Sequence, residues 1–198
     1  MRVLNLYSGL GGNRSRWSGV DVTAVELDDT VASFYASTYP DDTVVVGDAH
    51  EYLLSNYDKF DFIWASPPCQ THSSFRQNIC VRYRGTEPKY PDMKLWQEIL
   101  FLQHNCDVPW VVENVKPYYK PLIDGTMVQR HMFWSNKTII PKEFKKDVIR
   151  RAQIPDLQKL HGISLDGYKI KEKRQKLRNC ILPELGMYIF SQVLGEDK

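Results

Sequence analysis

A cysteine that directly follows a predicted buried strand is the residue of this sequence best placed for covalent chemistry. Cys69 lies in the stretch Ala65-Ser66-Pro67-Pro68-Cys69-Gln70, after the hydrophobic run 60–64. Because proline restricts its own backbone and that of the residue before it, the chain itself sets the position of the sulfur. Open α/β sheets carry their chemistry at the carboxyl ends of their strands, where a thiolate can act as a nucleophile.

A carboxylate follows the next predicted strand along the chain. Residues 108–112 are hydrophobic and lead into Glu113-Asn114-Val115, while a helix is predicted over 93–105. The segment 70–91 is polar and predicts an irregular loop, and a loop of this length in a compact domain is usually functional or disordered. Cys69 and Glu113 are therefore expected at the ends of successive strands.

The first residues predict the opening unit of a nucleotide-binding fold. A strand over 3–7 runs into Ser8-Gly9-Leu10-Gly11-Gly12, and a helix is predicted over 13–17. Glycines let a backbone approach a ligand closely, and a helix N-terminus favours negative charge.

Two acidic residues end the next two predicted strands. The strand 22–26 ends in Glu26, whose carboxylate suits ribose hydroxyls, and the strand 43–47 is followed by Asp48, which could accept from an adenine amino group. A helix is predicted between them, over 29–39. The glycines lack the GxGxxG spacing of dinucleotide sites and no Walker lysine follows, which favours S-adenosylmethionine over NAD or ATP.

The composition is that of an ordinary globular protein. The 198 residues are enough for one substantial core, and 42% are hydrophobic and 25% charged. No apolar run approaches the roughly 20 residues of a membrane span, and the sequence opens in a strand with no signal peptide, so no membrane contact and a cytoplasmic location are expected. The four cysteines lack CxxC spacing and a matching histidine pair, which predicts neither disulfides nor a metal site.

The basic residues are concentrated near the C-terminus. Residues 137–178 contain 13 lysines and arginines against 5 acidic residues, whereas residues 1–136 contain 12 against 16. Such a run is either a solvated helix face or a patch that contacts phosphates.

In combination, these motifs resemble those of the DNA (cytosine-5)-methyltransferases. Pro68-Cys69-Gln70 with Ser73, followed by Glu113-Asn114-Val115, resembles the catalytic motifs of that family. The turn from Tyr7 to Gly12 resembles its cofactor motif, with Tyr7 in the place of the usual phenylalanine. Asn179-Cys180-Ile181-Leu182-Pro183 resembles its closing motif, and the matches follow the order of the family along the chain.

The resemblance implies an α/β, Rossmann-like, S-adenosylmethionine-dependent methyltransferase fold, with a mostly parallel sheet and helices on both faces. Residues 1–136 would form the catalytic and cofactor-binding domain, and residues 137–178 a reduced, basic target-recognition segment. Residues 179–198 would return to the catalytic domain, with a helix over 184–194 beside the first strand. This compact plan is similar to that of small phage or prophage members.

The resemblance also assigns roles to individual residues. The expected catalytic residues are Cys69, Glu113 and Arg130. The expected cofactor-binding residues are Tyr7, Ser8, Gly9, Leu10, Gly11, Gly12, Glu26, Leu27, Asp48, Ala49, Pro68 and Asn179. The expected substrate-binding residues are Gln70, Ser73, Asn114 and Val115.

Three features depart from the family pattern. Arg178 stands where the closing motif usually has glycine, and Gln129-Arg130-His131 only partly matches the arginine-bearing strand motif. The interval that normally holds a target-recognition domain is also short, which suggests a short or relaxed target or help from a partner chain.

The implied reaction is methylation of cytosine C5 in double-stranded DNA, on a base flipped out of the duplex. The Cys69 thiolate would add to C6, Glu113 would support N3 and the amine, and Asn114 would brace the loop that carries Cys69. Methyl transfer would convert the cofactor to S-adenosyl-L-homocysteine. Segment 70–91 would close over the flipped base. RNA or a free cytosine nucleotide remains open as the substrate, as does a catalytically silent nucleic-acid-binding partner. A bacterial host cell, a phage origin and a link to restriction-modification are expectations of the resemblance alone.

Overall fold

A single seven-stranded sheet organises the computed structural model, which describes residues 1–144, 149 and 151–195. Its strands are β1 (Arg2–Leu6), β2 (Asp21–Glu26), β3 (Thr43–Val46), β4 (Phe62–Ala65), β5 (Trp110–Val115), β6 (Thr126–Val128) and β7 (His131–Ser135). Their order across the sheet is β3-β2-β1-β4-β5-β7-β6. Strands β1 to β5 pair in parallel, whereas β7 and β6 pair antiparallel at one edge. The predicted mostly parallel sheet is confirmed.

Helices connect and cover these strands. They are α1 (Asp29–Thr38), α2 (Ala49–Asn56), α3 (Arg82–Arg84), α4 (Lys94–Asn105), α5 (Ile154–His161), α6 (Lys173–Asn179) and α7 (Pro183–Leu194). Short 3-10 turns lie at Arg14–Arg16 and Tyr57–Lys59, and a π-helical turn lies at Arg76–Val81. The helices predicted over 29–39, 93–105 and 184–194 are present as α1, α4 and α7, while α2 was not predicted. In the part of the chain that the structure describes, no helix is both long and apolar enough to cross a bilayer.

The sheet is covered on both faces, as predicted. On one face, α2 and α4 pack Leu53 and Trp96 against Leu4 of β1. On the other face, α7 packs Phe190 against Phe62 of β4. Each large apolar side chain buried in this way stabilises the fold by roughly 1.5–3 kcal/mol.

The helix predicted directly after the glycine turn is wrong. The chain makes only the 3-10 turn Arg14–Arg16 before β2 begins, because α7 occupies the space that such a helix would need. Gly186 of α7 lies so close to Asn13 that a Cβ atom on it would be 2.7 Å from the Asn13 Cα atom. The ring of Trp17 stacks on that of Phe190 with centroids 4.5 Å apart. The closing helix therefore covers the β1–β2 connection, beside the first strand.

The basic segment shares a core with the body of the protein. Leu157 of α5 and Leu177 of α6 are fully buried with Val31 and Phe34 of α1. Residues 145–148 and 150 of this segment, and residues 196–198 of the closing segment, lie outside the described residues. Helices α5 and α6 are consequently fixed against the same side of the protein that carries the glycine turn.

Candidate active site

A cavity of about 450 Å³ lies at the carboxyl ends of the parallel strands. This size is typical of a small-molecule or cofactor site. The sequence-predicted residues that line it are Tyr7, Ser8, Gly9, Leu10, Gly12, Glu26, Leu27, Asp48, Ala49, Pro68, Cys69, Gln70, Glu113, Val115 and Asn179. The other four, Gly11, Ser73, Asn114 and Arg130, lie outside this lining.

Two residues with left-handed backbone conformations and the carboxylate of Glu26 shape the turn after β1. Tyr7 and Gly9 have φ values of 55° and 54°. The Gly9 N–H donates to Oε2 of Glu26 at 2.9 Å, and the Asp28 N–H donates to Oε1 at 3.0 Å. Glu26 thereby joins the glycine turn to the end of β2 and holds its carboxylate at the cavity wall.

The second half of the glycine turn is packed against other parts of the chain. A Cβ atom on Gly12 would lie 2.5 Å from the carbonyl oxygen of Ile181, and one on Gly11 would lie 2.3 Å from Cε2 of Tyr39. Gly11 is therefore needed for close packing against the end of α1, which explains why it does not line the cavity.

Asp48 starts α2 and is held in place by that role. Its Oδ1 accepts hydrogen bonds from the N–H groups of His50 and Glu51, at 2.8 and 3.1 Å. Aspartate is a preferred residue at this capping position. The cap fixes an acidic side chain at the cavity wall, next to Ala49.

Tyr7 links the glycine turn to a buried acid that the sequence did not single out. Its hydroxyl donates to Oε1 of Glu98 on α4, and Nδ1 of His50 lies 3.6 Å from the same oxygen. Burial raises the pKa of Glu98 to about 7, and the nearby charge of Asp48 acts in the same direction, while the Tyr7 hydrogen bond lowers it. A fully buried carboxyl group thus supports the cavity from behind Tyr7.

Cys69 is positioned by backbone hydrogen bonds and by a side chain from the neighbouring strand. Its carbonyl oxygen accepts from the N–H groups of His72 and Ser73, at 3.1 and 3.0 Å. The Asn114 side-chain amide donates to the carbonyl oxygen of Pro67 at 2.9 Å. The loop that carries the thiol is therefore tied to the end of β5.

The surroundings of Cys69 favour the protonated form of its thiol. Burial raises its pKa to about 11, and the charge of Glu113 adds to that rise, whereas its own backbone N–H and the charge of Arg130 lower it. A thiolate is the reactive form of cysteine. A positive charge close to the sulfur lowers this pKa, as the charge of Arg130 does.

The segment after Cys69 is more ordered than the irregular loop predicted. It contains the turn Arg76–Val81 and helix α3. The buried ring of His72 contacts the Tyr119 hydroxyl through Nδ1 at 2.5 Å, and Ser73 forms an isolated bridge with Pro117. These contacts anchor the start of the segment, near the thiol, to the chain that follows β5.

Glu113 is paired with a histidine that the sequence reasoning missed. His131 Nδ1 lies 2.5 Å from Glu113 Oε1, and their side chains are 2% and 8% exposed. In the antiparallel β5–β7 pair, His131 lies opposite Val115, two residues from Glu113, so the two side chains are diagonal neighbours. The alternation of side chains along β7 separates His131 from Arg130, but the register between β5 and β7 decides that His131 lies beside Glu113.

Arg130, one residue earlier, points elsewhere. Its guanidinium donates to the carbonyl oxygens of Arg178 and Cys180, at 2.8 and 3.1 Å. It therefore holds the closing segment against the start of β7. Its charge still reaches Cys69, because it lowers the pKa of that thiol.

Helix α6 of the basic segment forms one wall of the cavity, through Gln175, Lys176 and Asn179. Lys176 Nζ lies 3.2 Å from Oδ2 of Asp28. The guanidinium of Arg178 lies over the ring of Phe75 at 5.2 Å. One short helix thus contacts both Asp28, next to the end of β2, and the segment that follows Cys69.

The sheet and the position of its cavity define the class of protein: a Rossmann-like methyltransferase fold. A solved structure of the Entamoeba histolytica methyltransferase EhMeth superposes with a TM-score of 0.58 at 12% identity, covering 100% of this chain and 99% of that one. Residues 1–121 match the family model of the C-5 cytosine-specific DNA methylases. The chain belongs to this family, as its motifs predicted.

Two further solved structures are similar over part of their length. The Spodoptera frugiperda DNMT2 mutant E260A/E261A/K263A has a TM-score of 0.42 at 22% identity, with 61% of this chain and 37% of that one covered. A protein encoded within an Escherichia coli prophage and described as a DNA modification methyltransferase has a TM-score of 0.46 at 18% identity, with 80% and 54% covered. This chain thus spans about a third of the length of the first protein and about half of the length of the second. No curated protein matches the sequence.

Proposed function

We propose that this protein transfers a methyl group from S-adenosylmethionine to C5 of cytosine in double-stranded DNA. The observation that carries the proposal is that Cys69 and Glu113 line the same cavity as the glycine turn and the acidic residues Glu26 and Asp48. A nucleophile and an acid at one end of such a cavity suit a reaction between a bound nucleoside cofactor and a base.

The residues at the other end of the cavity fit the proposed cofactor. Glu26 offers acceptor oxygens for ribose hydroxyls, and Asp48 offers them for an adenine amino group. The turn from Tyr7 to Leu10 and the residue Gly12 line this end of the cavity beside the two acidic residues. When bound, S-adenosylmethionine supplies an electrophilic methyl group on its sulfonium.

The chain's own residues perform the remaining steps. The Cys69 thiolate adds to C6 of the flipped cytosine, which makes C5 nucleophilic. Glu113 holds N3 and the exocyclic amine, and Asn114 keeps the loop of Cys69 in place through Pro67. After methyl transfer, solvent water accepts the C5 proton, the electrons of the C5–H bond form the C5–C6 double bond again, and the C6–S bond breaks to release Cys69 as a thiolate.

The segment 137–178 is proposed as a reduced recognition segment that holds DNA by its phosphates. Lys159, Lys169 and Lys171 are exposed, and α6 of this segment lines the catalytic cavity. Lysine–phosphate contacts do not depend on sequence and weaken with salt. Duplex bound there would lie beside the cavity that must receive the flipped base.

The proposal is tested by offering labelled S-adenosylmethionine with mixed-sequence duplex DNA, with RNA or with dCMP. Label in DNA, and none with the Cys69→Ser variant, is the expected result. Label in RNA or dCMP but not in DNA would overturn the choice of substrate. Cofactor binding without label in any of the three would indicate a silent binding protein.

A further inference from the structure

His131 is a buried titratable side chain in contact with Glu113, the proposed catalytic acid. None of the proposed steps of cytosine methylation uses it. Its side chain is 2% exposed, and its Nδ1 is 2.5 Å from Oε1 of Glu113. A nitrogen and an oxygen this close must share a proton, because two bare acceptors would repel each other at that distance. The Nδ1–Oε1 contact therefore contains one proton.

Titratable and charged groups from neighbouring segments face the pair. Cys180, which follows α6, lies close enough to Glu113 that the charge of the carboxylate raises the pKa of its thiol. From the loop after β4, Cys69 faces Glu113, whose charge raises the pKa of the thiol. Arg130 precedes His131, but its guanidinium is directed to the carbonyl oxygens of Arg178 and Cys180. Phe133, on the same face of β7, places its ring 6.2 Å from the imidazole.

Addition of a thiolate at C6 increases the electron density at N3 of the base. A carboxylate is only an acceptor and would repel the N3 lone pair, whereas a carboxylic acid can donate to it. Since Oε1 of Glu113 is held by His131, Oε2 is the oxygen left to carry and deliver that proton.

We propose that His131 and Glu113 form a proton-sharing pair that delivers a proton to N3 of the target cytosine. This inference rests on the proposed function. The Nδ1–H group of His131 donates to Oε1, and the Glu113 carboxylate takes up a proton from solvent on Oε2 when the base binds. As Cys69 forms its bond to C6, the Oε2–H bond breaks and the proton moves to N3. The Nδ1–H group then stabilises the carboxylate that remains, and the proton returns to Oε2 when Cys69 leaves. His131 is thus a positioning residue that acts through Glu113.

The kinetic test compares His131→Phe, which has no donor, with His131→Gln, which keeps one, over a range of pH. His131→Phe is expected to lower kcat by about 100-fold or more, the usual size of a general-acid contribution. The alkaline limb of the plot of kcat against pH should move to higher pH in this variant, because the Glu113 carboxylate loses the hydrogen-bond donor that stabilises its charge. His131→Gln should restore much of kcat and the position of the limb. His104→Phe, at an exposed site on α4, is the matched control and should change neither.

A loss of kcat in His131→Phe with an unmoved limb would overturn the inference, since a purely structural role predicts that result. Thermal unfolding of each variant accompanies the kinetics.

A second readout does not depend on turnover. In ¹⁵N-labelled protein, the Nδ1 proton of His131 should resonate far downfield, and Glu113→Gln should abolish that signal. An Nε2–H tautomer, with bare Nδ1 towards Glu113, would overturn the inference even if DNA is methylated. A downfield Nδ1 proton in a protein that methylates no cytosine would retain the pair and refute the proposed function.

Discussion

Asn114 is joined to Pro67 across two neighbouring strands by a buried hydrogen bond of 2.9 Å. Asn114 directly follows Glu113, and Pro67 lies two residues before Cys69. One contact therefore fixes the spacing between the proposed acid and the proposed nucleophile.

Asn114→Ala should lower both stability and the reactivity of Cys69. The buried Pro67 carbonyl loses its donor, which typically costs about 1–3 kcal/mol in the free energy of unfolding. Chemical unfolding and the rate of methyl transfer measure the two effects. Asn136→Ala is the matched control, because Asn136 bridges Trp110 and Val108 at the opposite end of β5. The account is contradicted if both variants lower the rate equally.

Glu113→Gln and Arg130→Leu should change the reactivity of the Cys69 thiol in opposite directions. The charge of Glu113 raises the pKa of Cys69 and that of Arg130 lowers it. Iodoacetamide should therefore label Cys69 faster in Glu113→Gln and slower in Arg130→Leu, by about tenfold for each unit of pKa change. Peptide mass spectrometry follows the reaction, with Cys80 as the internal reference. Equal labelling rates in both variants would refute the electrostatic argument.

Glu98→Gln should reduce the loss of stability as the pH rises. Because the pKa of Glu98 is raised from 4.5 to about 7 in the folded state, the folded protein binds this proton more tightly than the unfolded chain. The stabilisation is present at acidic pH and is lost as the pH rises to 7, by up to about 3 kcal/mol. Unfolding at pH 5 and pH 8 measures it.

The exposed Glu51→Gln variant is the control for Glu98. The free energies of unfolding of the wild-type protein and Glu98→Gln are compared at both pH values. If they differ by the same amount at each, Glu98 ionises normally and the prediction is wrong.

Replacing Lys159, Lys169 and Lys171 by glutamine should weaken DNA binding without changing cofactor affinity. Each lost phosphate contact should reduce the slope of log affinity against log salt by about 0.9. Fluorescence anisotropy at several salt concentrations measures that slope. Lys59→Gln, an exposed substitution just before β4, should leave it unchanged. An unchanged slope in the triple variant would show that DNA is held elsewhere.

The strand ends that carry Cys69 and Glu113 could be predicted because each follows a short hydrophobic run. The same reasoning found Glu26 and Asp48. It missed α2, since Asp48 was considered as a ligand and its role as a helix cap was not. Sequence alone thus located the side chains at strand ends better than the local structure around them.

The remaining differences depend on contacts between distant parts of the chain. No local pattern shows that α7 would occupy the space of a helix after Gly12, because the close contact is between Gly186 and Asn13. The pairing of His131 with Glu113 depends on the register between β5 and β7. Arg130 and His131 are adjacent in sequence, and only that register decides which of them reaches the acid.

The most direct test of the central claim is covalent capture of Cys69 by cytosine. The protein is incubated with S-adenosylmethionine and a mixed-sequence duplex in which 5-fluorocytosine replaces every cytosine, and the adduct is mapped by peptide mass spectrometry. The fluorine cannot leave as the C5 proton does, so the enzyme should remain attached to DNA through Cys69, and Cys69→Ser should form no adduct. Methylation of ordinary DNA without an adduct at Cys69, or an adduct at another cysteine, would contradict the account.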